Sequence, residues 1–598
     1  MNSKNTWLWF TVAAMLAAFI FIFQHYFRAP ASVPNAILPN LQPQSVTSVQ
    51  IIPNGALEIR ADYTNNSWLL TKPIFYPAQP AAIETLLGAL QKLTPATKIS
   101  AAELRGHKNP EAEFGFDNPQ ISLAIESGEE RWQLLVGNKT APGDQVFLRV
   151  VGVDGAFVVD ADWLKLIPHS AVDWRSTALV DAGQNNFDSI ILTNGVKVIE
   201  FHRDATNRFW RMTRPLQARA DSGRITAALQ QLQAAHATQF VTDDPKADLT
   251  VFGLQPADLD LWLGRDGNST AAIHVGKNPA KDSAQVFAKR EGWNAIVTTP
   301  GAPLASWRGA VNDFRDPYLF ELTAPVAEIE MRGENNFTLQ RQGSNDWRVA
   351  NEKFPADADS VRQFIKILAG LRVSEFVKDV VTTPDLEAYG LSPKPARQII
   401  LRSAIGDSNA VIAQLSFAAP TNGVFVHRDG EDFIYSIAAD DFNNLKLIYG
   451  EDWQFRDRRI WNFIENDVAQ ITLRQNGKTR VMIRSGANQW SLPAGSQGMI
   501  IPSAIEESAH RLGELSAYAW FGRNITEPEK FGWNTNKLQI TVELKNGSKS
   551  TVDILSDLPQ GNTALAAVTL DGERWAFIFP PVVYQFVLNY LTIPANVP

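Results

Sequence analysis

The sequence predicts an α+β fold in which four tandem repeats of about 140 residues follow one N-terminal transmembrane helix. A tryptophan begins a short strand four times, at Trp68, Trp210, Trp347 and Trp490. An aromatic–glycine pair recurs at Phe114-Gly115, Phe252-Gly253, Tyr389-Gly390 and Phe531-Gly532. Because two markers independently keep one period of about 140 residues, internal repetition organises the chain. We expect each repeat to be a mostly antiparallel sheet with one packed helix.

The composition is that of a multidomain globular protein. The 598 residues are 45% hydrophobic and 20% charged, which fits about four domains of ~150 residues. The formal net charge of -8 predicts a mildly acidic surface and argues against nucleic acid as a partner. Because the chain has no cysteine, it cannot form disulfides, thiol nucleophiles or zinc–thiolate sites.

Residues 1–28 are predicted to be a membrane anchor. Residues 7–27 carry no charge, and 21 such residues are long enough to cross a bilayer core as a helix. A cleaved signal peptide is the alternative, since Ala29-Pro30-Ala31 has the small-x-small pattern of a cleavage site, although signal peptides have shorter apolar regions. We expect the helix to lie in the inner membrane, with the bulk of the chain in the periplasm.

Residues 29–44 contain four prolines, which predicts an extended linker between the membrane and the first repeat. The period then places the repeats at residues 45–181, 182–322, 323–464 and 465–598. The fourth repeat diverges most, and we expect it to be a terminal cap.

Each repeat is expected to begin with a β-hairpin. Asn54-Gly55, Asn194-Gly195 and Asn476-Gly477 lie between alternating apolar residues, and an Asn-Gly hairpin turn needs positive φ at both positions. The third repeat has Gly333-Glu334-Asn335 instead. A helix follows each tryptophan strand, because apolar residues recur there at i, i+3, i+4 and i+7. The expected helix starts are Pro80, Ser222, Ser360 and Pro502.

An aromatic–arginine pair closes each of the first three repeats. The arginines are Arg175, Arg315 and Arg456, which keep the same spacing of about 140 residues. No such arginine closes the last repeat, where no neighbour follows. Because a guanidinium forms fork-shaped hydrogen bonds to carboxylates and carbonyls, we predict that these arginines join neighbouring repeats. A row of anion-binding sites is the alternative.

The tryptophans fall into two groups. The four repeated tryptophans keep a fixed place beside the helix, which predicts that they mark the core of each repeat. Trp262, Trp293 and Trp533 lie outside that pattern. They are candidate ligand-facing aromatics, because aromatic faces bind sugars and other π partners.

No catalytic or cofactor-binding motif is present. The chain has no phosphate-binding loop, no dinucleotide fingerprint, no His-Glu-x-x-His and no Gly-x-Ser-x-Gly. The histidines are scattered singly, and the acidic pairs Asp243-Asp244 and Asp440-Asp441 are expected to cap turns and helices rather than bind calcium. The sequence therefore predicts a protein that is not an enzyme and has no cofactor or metal.

The tryptophan strand, the aromatic-Gly-Leu-x-Pro turn and the strand ends Val136-Gly137-Asn138 and Val275-Gly276-Lys277-Asn278 resemble the bacterial family called domain of unknown function 4340. The resemblance implies an envelope protein with one membrane helix and tandem domains. It also implies association with ABC-type export systems of the gliding-motility kind, beside a permease and a substrate-binding-like subunit. The fourth repeat departs from the pattern, because Phe531-Gly532-Trp533-Asn534 lacks the proline.

The expected function is that of a non-enzymatic accessory subunit of such an export complex. Two alternatives remain: a free-standing envelope scaffold that binds glycan or protein, and a hydrolase whose site is assembled from different repeats. An ATPase and a permease encoded next to this chain would favour export, whereas neighbouring cell-wall genes would favour the scaffold.

Overall fold

The structure is a computed structural model that describes residues 3–22, 36–128, 130–180, 187–281, 283–343, 345–405, 408–494, 499–525, 538–558 and 563–592. The first helix, α1, is Ser3–Ile22. The part of the expected membrane helix that follows residue 22 lies outside the described residues. Within the described ranges, no helix is both long enough and apolar enough to cross a membrane.

The described residues confirm the α+β class and form four antiparallel sheets. The chain divides into two compact units, residues 1–198 with 226–308 and residues 199–225 with 309–598. The first unit contains the first sheet and most strands of the second sheet. The second unit contains the remaining strands of the second sheet, together with the third and fourth sheets.

The first sheet has nine described strands: β1 (Ser48–Pro53), β2 (Ile59–Thr64), β3 (Ser67–Lys72), β4 (Tyr76–Pro77), β5 (Thr97–Ile99), β6 (Ile121–Ser127), β7 (Glu130–Lys139), β8 (Gln145–Val150) and β9 (Ala156–Asp160). Their order is β4-β3-β2-β1-β6-β7-β8-β9-β5. The accompanying helices are α2 (Pro80–Gln91), α3 (Ala101–Gly106), α4 (Pro110–Phe114) and α5 (Ala171–Trp174). Helix α2 therefore connects the two outermost strands, β4 and β5.

The second sheet is divided between the two units. Its strands are β10 (Ser189–Asn194), β11 (Lys197–Arg203), β12 (Trp210–Arg214), β13 (Ala218–Arg219), β14 (Gln239–Thr242), β15 (Leu259–Arg265), β16 (Asn268–Val275), β17 (Gln285–Arg290) and β18 (Ile296–Pro300). The first unit holds β10-β15-β16-β17-β18-β14 in that order, and the second unit holds β13-β12-β11, with β11 from residue 199. The helices of this repeat are α6 (Ser222–Gln233) and α7 (Ala302–Ala305).

The third sheet lies wholly in the second unit and repeats the strand order of the first. Its strands are β19 (Val326–Gly333), β20 (Phe337–Arg341), β21 (Trp347–Val349), β22 (Pro355–Ala356), β23 (Glu375–Lys378), β24 (Arg397–Ile405), β25 (Ser408–Ala418), β26 (Val424–Arg428) and β27 (Ile434–Ile437). Their order is β22-β21-β20-β19-β24-β25-β26-β27-β23. The helices are α8 (Ala358–Gly370), α9 (Thr383–Ala388) and α10 (Ala439–Tyr449).

The fourth sheet has the same order without the outermost strand among its described residues. Its strands are β28 (Val468–Gln475), β29 (Lys478–Gly486), β30 (Gln489–Ser491), β31 (Ala519–Arg523), β32 (Leu538–Leu544), β33 (Lys549–Asp557), β34 (Ala564–Leu570) and β35 (Glu573–Ile578). Their order is β30-β29-β28-β32-β33-β34-β35-β31. The helices are α11 (Pro502–Gly513) and α12 (Pro581–Phe586). One continuous hydrophobic core joins the third and fourth sheets.

The long helices bury the faces that their apolar spacing predicts. In α2 the buried side chains are Ile83, Leu86, Leu87 and Leu90. Pro80 and Pro502 occupy the first helical turn, where the missing N–H of proline costs nothing. Ser360 lies inside the first turn of α8, because Asp357 is the N-cap and accepts hydrogen bonds from the backbone N–H groups of residues 359 and 360.

Only some of the expected Asn-Gly turns have positive φ at both positions. Asn476 and Gly477 have φ of 47° and 80° between two directly joined strands. At the first hairpin only Gly55 has positive φ, because residues 54–58 form a longer connection between β1 and β2. A longer loop accommodates a single left-handed residue, whereas a two-residue turn of type I′ needs two.

The aromatic–glycine turn and the Val-Gly-Asn strand end contact each other. A Cβ on Gly137 would lie 2.1 Å from the carbonyl oxygen of Phe114, and a Cβ on Gly276 would lie 2.1 Å from that of Phe252. Lys277 N–H also donates to the carbonyl of Phe252. The two motifs therefore recur together because one must pass directly over the backbone of the other.

Residues 36–44 differ from the extended linker that their prolines predict. Ile37, Leu38 and Leu41 are buried in the core of the first sheet. The N–H of Ile37 donates to the carbonyl of Leu93, just after α2. The prolines fix the local backbone, but the apolar side chains between them favour burial over exposure.

Candidate functional site

Arg175, Arg315 and Arg456 end short helical turns and pair with the outer edge of the sheet that precedes each of them in the chain. The antiparallel bridges join Ala78 to Arg175, Ala220 to Arg315 and Ala356 to Arg456. The residue before each arginine accepts a backbone hydrogen bond from the start of the long helix; the pairs are Gln79–Trp174, Asp221–Phe314 and Asp357–Phe455. The same backbone geometry therefore holds the arginine in place three times.

We call Arg175 with Tyr76, Phe240 and Asp243 the first junction, which lies within the first unit. The guanidinium is 2% exposed, and its Nη1 donates to Asp243 Oδ2 at 3.0 Å. Its carbon lies 3.6 Å from the ring centre of Phe240 and 4.2 Å from that of Tyr76. The cation is thus held between two rings, one from β4 of the first sheet and one from β14 of the second.

The second junction, in the second unit, consists of Arg315 with Phe376, Asp379 and Phe433. Arg315 is buried, and its Nη1 donates to Asp379 Oδ1 at 2.5 Å. The guanidinium carbon lies 3.8 Å from the ring centre of Phe376 on β23 and 4.5 Å from that of Phe433. The arginine that closes the second repeat therefore binds side chains of the third repeat.

The third junction consists of Arg456 with Phe354, Trp520, Asp571 and Trp575. Arg456 Nη2 donates to Asp571 Oδ2 at 2.8 Å, and its guanidinium carbon lies 4.4 Å from the ring centre of Trp575. The indole N–H of Trp520 donates to the backbone carbonyl of Arg456 at 2.9 Å. Each of the three arginines thus has a carboxylate and aromatic faces as partners.

A second attachment follows three residues after each arginine. Antiparallel bridges join Ala178 to His236, Tyr318 to Arg372 and Arg459 to Ser516, just past the long helix of the next repeat. The next two residues are buried in all three cases; they are Leu179-Val180, Leu319-Phe320 and Ile460-Trp461. The connecting chain is therefore fixed on both sides of the arginine, which leaves little freedom for a hinge.

A buried polar cluster beside the second junction was missed by the sequence analysis. Arg219 forms ion pairs with Asp316 and, at 2.9 Å, with Glu431. Its Nη2 donates to the carbonyls of Tyr318 and Leu319 at 2.7 and 2.9 Å. Pro77 and Pro355 occupy the corresponding places in the first and third sheets, so no repetition marked this arginine in the sequence.

Burial dominates the titration of this cluster. It raises the pKa of Asp316 to about 6, although the Arg219 guanidinium acts in the opposite direction. Burial likewise raises the pKa of Tyr435, whose hydroxyl donates to Glu431 Oε2 at 2.6 Å. The cluster therefore combines a paired guanidinium with a carboxyl that gains a proton at mildly acidic pH.

The repeated tryptophans Trp68, Trp210, Trp347 and Trp490 are all buried. Trp262 is half-buried on β15, and its ring lies 5.9 Å from that of His274. His274 in turn contacts Asp260 at 2.6 Å and Glu291 at 2.8 Å.

Trp293 is half-buried and packs on the first junction. Its ring centre lies 5.6 Å from that of Phe75 and 5.4 Å from that of Tyr76. Together with Asp243 these residues line a cavity of about 200 Å³. Trp533 lies outside the described residues.

The acidic pairs have structural partners. Asp243 binds Arg175, and Asp244 accepts the backbone N–H of Lys246 at 2.9 Å. Asp440 and Asp441 lie in the first turn of α10, where the helix dipole favours negative charge. Across the part of the chain that the structure describes, no group of three or more His, Asp or Glu residues is arranged to hold a metal ion.

A family model with the description Domain of unknown function (DUF4340) matches residues 68–208, 210–353 and 347–535. The matches begin at the tryptophans of β3, β12 and β21, so each takes most of one repeat and the first hairpin of the next. Together they cover well over half of the chain. No curated protein and no solved structure matches it.

Proposed function

The chain belongs to the DUF4340 family, and we propose that it is a non-catalytic, membrane-anchored accessory subunit of an ABC-type export complex, with its repeats in the periplasm. Residues 1–28 would be the anchor in the inner membrane. The partner would be a multi-span permease or its substrate-binding-like companion. No cofactor, metal or nucleic acid takes part in this function.

The observation that carries the proposal is the junction built three times from the same parts. Each junction has a buried arginine, a carboxylate, aromatic rings and two backbone attachments. A protein that only needs flexible tethering has no use for such joints, whereas a scaffold must keep its binding surfaces at fixed separations. We therefore interpret Arg175, Arg315 and Arg456 as inter-repeat joints.

The sequence supplies the remaining support. The uncharged stretch of residues 7–27 is long enough to cross a bilayer core. One such helix cannot form a transport path, and the chain contains no nucleotide-binding loop, so it would have to act with a separate pump. The resemblance to envelope proteins associated with gliding-type ABC systems supports an ABC-type pump as that partner.

Crosslinking in the membrane tests the partner. The full chain is crosslinked in intact cells, extracted in mild detergent and analysed by mass spectrometry. We expect crosslinks from residues 1–181 to an ABC permease or its companion subunit. The same experiment on a chain with an unrelated membrane helix in place of residues 1–28 separates docking by the first repeat from simple co-residence in the membrane. Crosslinks only to cell-wall proteins would contradict the proposal.

A topology reporter tests the location. A reporter that is active only outside the cytoplasm is fused after Pro598, and the mature N-terminus is sequenced. We expect an active reporter and retention of residues 1–28, because the 21 uncharged residues 7–27 are longer than the apolar region of a cleaved signal peptide. A soluble product that begins near Ser32 would instead establish a cleaved signal peptide.

A free-standing scaffold that binds glycan is the second candidate, and the exposed aromatic surface beside the first junction favours it. Phe75 is 67% exposed and packs against Trp293. Sedimentation with purified cell wall, comparing the wild type with Phe75→Ala, tests this candidate. Binding of the wild type that is reduced in Phe75→Ala would support a glycan-binding scaffold. A wild type that does not sediment with the cell wall would contradict it.

A further inference from the structure

The third sheet contains a cleft where the third repeat departs from the pattern of the others. Its volume is about 880 Å³, and we call it the third-sheet cleft; its principal side chains are Arg332, Glu334, Lys394, Arg397, Phe442 and Lys446. All of them belong to the second unit. The cleft is separate from the three junctions and from the Arg219 cluster.

Arg397 occupies a position that is apolar in the other three sheets. It is the first residue of β24 and pairs with Phe417 of β25. The residues at the same register are Ile121 opposite Val136, Leu259 opposite Val275, and Leu538 opposite Ile554. Arg397 is nevertheless only 2% exposed. A buried charge in an otherwise apolar position indicates a requirement other than packing.

The Arg397 guanidinium lacks a carboxylate partner in the described residues. Its Nη1 donates to the carbonyl of Gly450 at 3.2 Å, and no described ion pair includes it. Glu334 forms its ion pair with Lys446, at 2.5 Å from Oε2 to Nζ. Its effect on Arg397 is a Coulomb attraction without direct contact. Burial lowers the pKa of Arg397, and the fields of Glu334 and Glu451 oppose that shift. The three junction arginines, by contrast, each have a carboxylate.

The cleft is basic in a chain that is acidic. Four basic side chains and one acidic side chain line it, whereas the whole chain carries -8. Lys394 is exposed and forms no described ion pair. Arg332 is paired with Glu330 at 2.6 Å and Lys446 with Glu334, so Arg397 and Lys394 are the two basic residues of the cleft without a described ion pair. Two such cations beside a low-dielectric wall attract anions.

Two further features of the third repeat that differ from the other repeats shape the cleft. Gly333 has φ of 131°, and a Cβ there would lie 2.6 Å from the carbonyl oxygen of Ala396, so only glycine allows the chain to pass. Helix α10 has 11 residues where the second repeat has the four-residue α7. Phe442 and Lys446 are one turn apart on α10 and line the cleft together. The cleft therefore has one apolar wall beside its basic residues.

We propose that the third-sheet cleft binds a phosphate-bearing ligand, with Arg397 and Lys394 contacting the phosphate and Phe442 contacting the less polar remainder. A guanidinium presents two parallel donors that match phosphate oxygens, and a phosphate neutralises more of the excess charge than a single carboxylate. The volume exceeds that of a phosphate group, which leaves room for the rest of the molecule. Free phosphate compounds and lipid headgroups share this chemistry.

Binding is measured by titration calorimetry on the full chain in neutral detergent at constant ionic strength. The probes are inorganic phosphate and glycerophosphoglycerol, the water-soluble headgroup of phosphatidylglycerol, with chloride as the reference anion. Saturable binding of either probe is expected; tighter binding of the first indicates a free phosphate compound, and tighter binding of the second indicates a lipid headgroup. Absence of binding by both probes overturns the proposal.

Two variants locate the binding. Lys394→Glu should weaken binding of the preferred probe at least tenfold, and Arg397→Leu, which restores the residue type of the other sheets, should abolish it while the protein stays folded. Lys545→Glu, at an exposed lysine just after β32, is the matched control and should leave binding unchanged. Equal affinity in Lys394→Glu and the wild type overturns the proposal, even if Arg397→Leu fails to fold.

Discussion

A buried guanidinium is stabilised by a charge partner and by weakly polar surroundings that suit its flat face, and each junction supplies both. In the first two junctions the carboxylate follows the aromatic residue by three positions, as Phe240 with Asp243 and Phe376 with Asp379. In the third junction Arg523 takes that position, and Asp571 supplies the carboxylate from a different turn. All three junctions therefore pair an arginine with a carboxylate and aromatic rings, but the third junction takes its carboxylate from a different position in the repeat.

A double-mutant cycle on Arg315 and Asp379 tests the second junction. Arg315→Ala should lower the free energy of unfolding by about 1–3 kcal/mol, because it leaves a carboxylate and a cavity beside Phe376. The coupling between the two residues should be about 1 kcal/mol, since Asp379 is partly exposed and therefore screened. Denaturant unfolding measures both quantities. Zero coupling, with Arg315→Ala as stable as the wild type, would contradict the role of the ion pair.

Asp316 gives a pH dependence of stability with a definite sign. Its pKa is about 6 in the folded chain and near 3.8 when unfolded, so the folded state retains a proton that the unfolded state releases. Stability from this group is therefore present below pH 4 and is lost as the pH rises towards 6, by up to about 3 kcal/mol.

Asparagine at position 316 cannot ionise, so the Asp316→Asn variant should not lose stability from this group as the pH rises. The free energy of unfolding of the wild type minus that of Asp316→Asn should fall between pH 4 and 6, as measured by denaturant unfolding. If Arg219 lowered the pKa of Asp316 instead, the difference would stay nearly constant between pH 4 and 6 and would decrease only below pH 4.

Single occurrence explains which residues the sequence analysis missed. Arg175, Arg315 and Arg456 were recognisable because they keep the period of the repeats. Arg219 and Arg397 each occur in one repeat only, where the other copies have proline or apolar residues, and nothing in one sequence distinguishes them from surface arginines. The pairing of Asp571 with Arg456 could not be predicted from the sequence either, because the two residues are 115 positions apart in the chain.

At the scale of elements, periodic apolar spacing predicted the long helices well, since burial of one face on a sheet decides where a helix forms. Turn geometry was harder, because the same Asn-Gly pair serves two-residue turns and longer loops. The segment 36–44 was misassigned for a physical reason. Its prolines indicate an extended chain, but extended chain can also be buried when apolar residues lie between the prolines.

Residues 36–44 resemble the segments that connect the later repeats. Buried pairs recur with the repeat period at Ile37-Leu38, Leu179-Val180, Leu319-Phe320 and Ile460-Trp461. The connection that enters each repeat is therefore part of its core.

Leu38→Ala tests the packing of this segment. We expect it to destabilise the first sheet by about 2–4 kcal/mol, because Leu38 is fully enclosed. Leu57→Ala, at an exposed leucine in the same sheet's first loop, is the control and should cost little. Hydrogen exchange provides the readout. Rapid exchange at the Ile37 amide in the wild type would instead show a solvated linker.

At the scale of the whole molecule, the two ends of the repeat series lack the parts of a further junction. Lys98 on β5 takes the place of Phe240, Phe376 and Trp520, and its Nζ lies 5.7 Å from the ring centre of Phe157. A lysine at that position repels an incoming arginine and protects the strand edge. The fourth repeat has no closing arginine.

A distance measurement across the second junction tests whether the junction arginines fix neighbouring repeats. Because the chain has no native cysteine, spin labels can be attached at Ala205→Cys and Thr421→Cys, both exposed and both in the second unit. We predict one narrow distance distribution in the otherwise unaltered chain and a clearly broader one after Arg315→Ala, whereas Arg362→Ala, an exposed paired arginine on α8, leaves it narrow. An equally narrow distribution in a folded Arg315→Ala protein would contradict the claim.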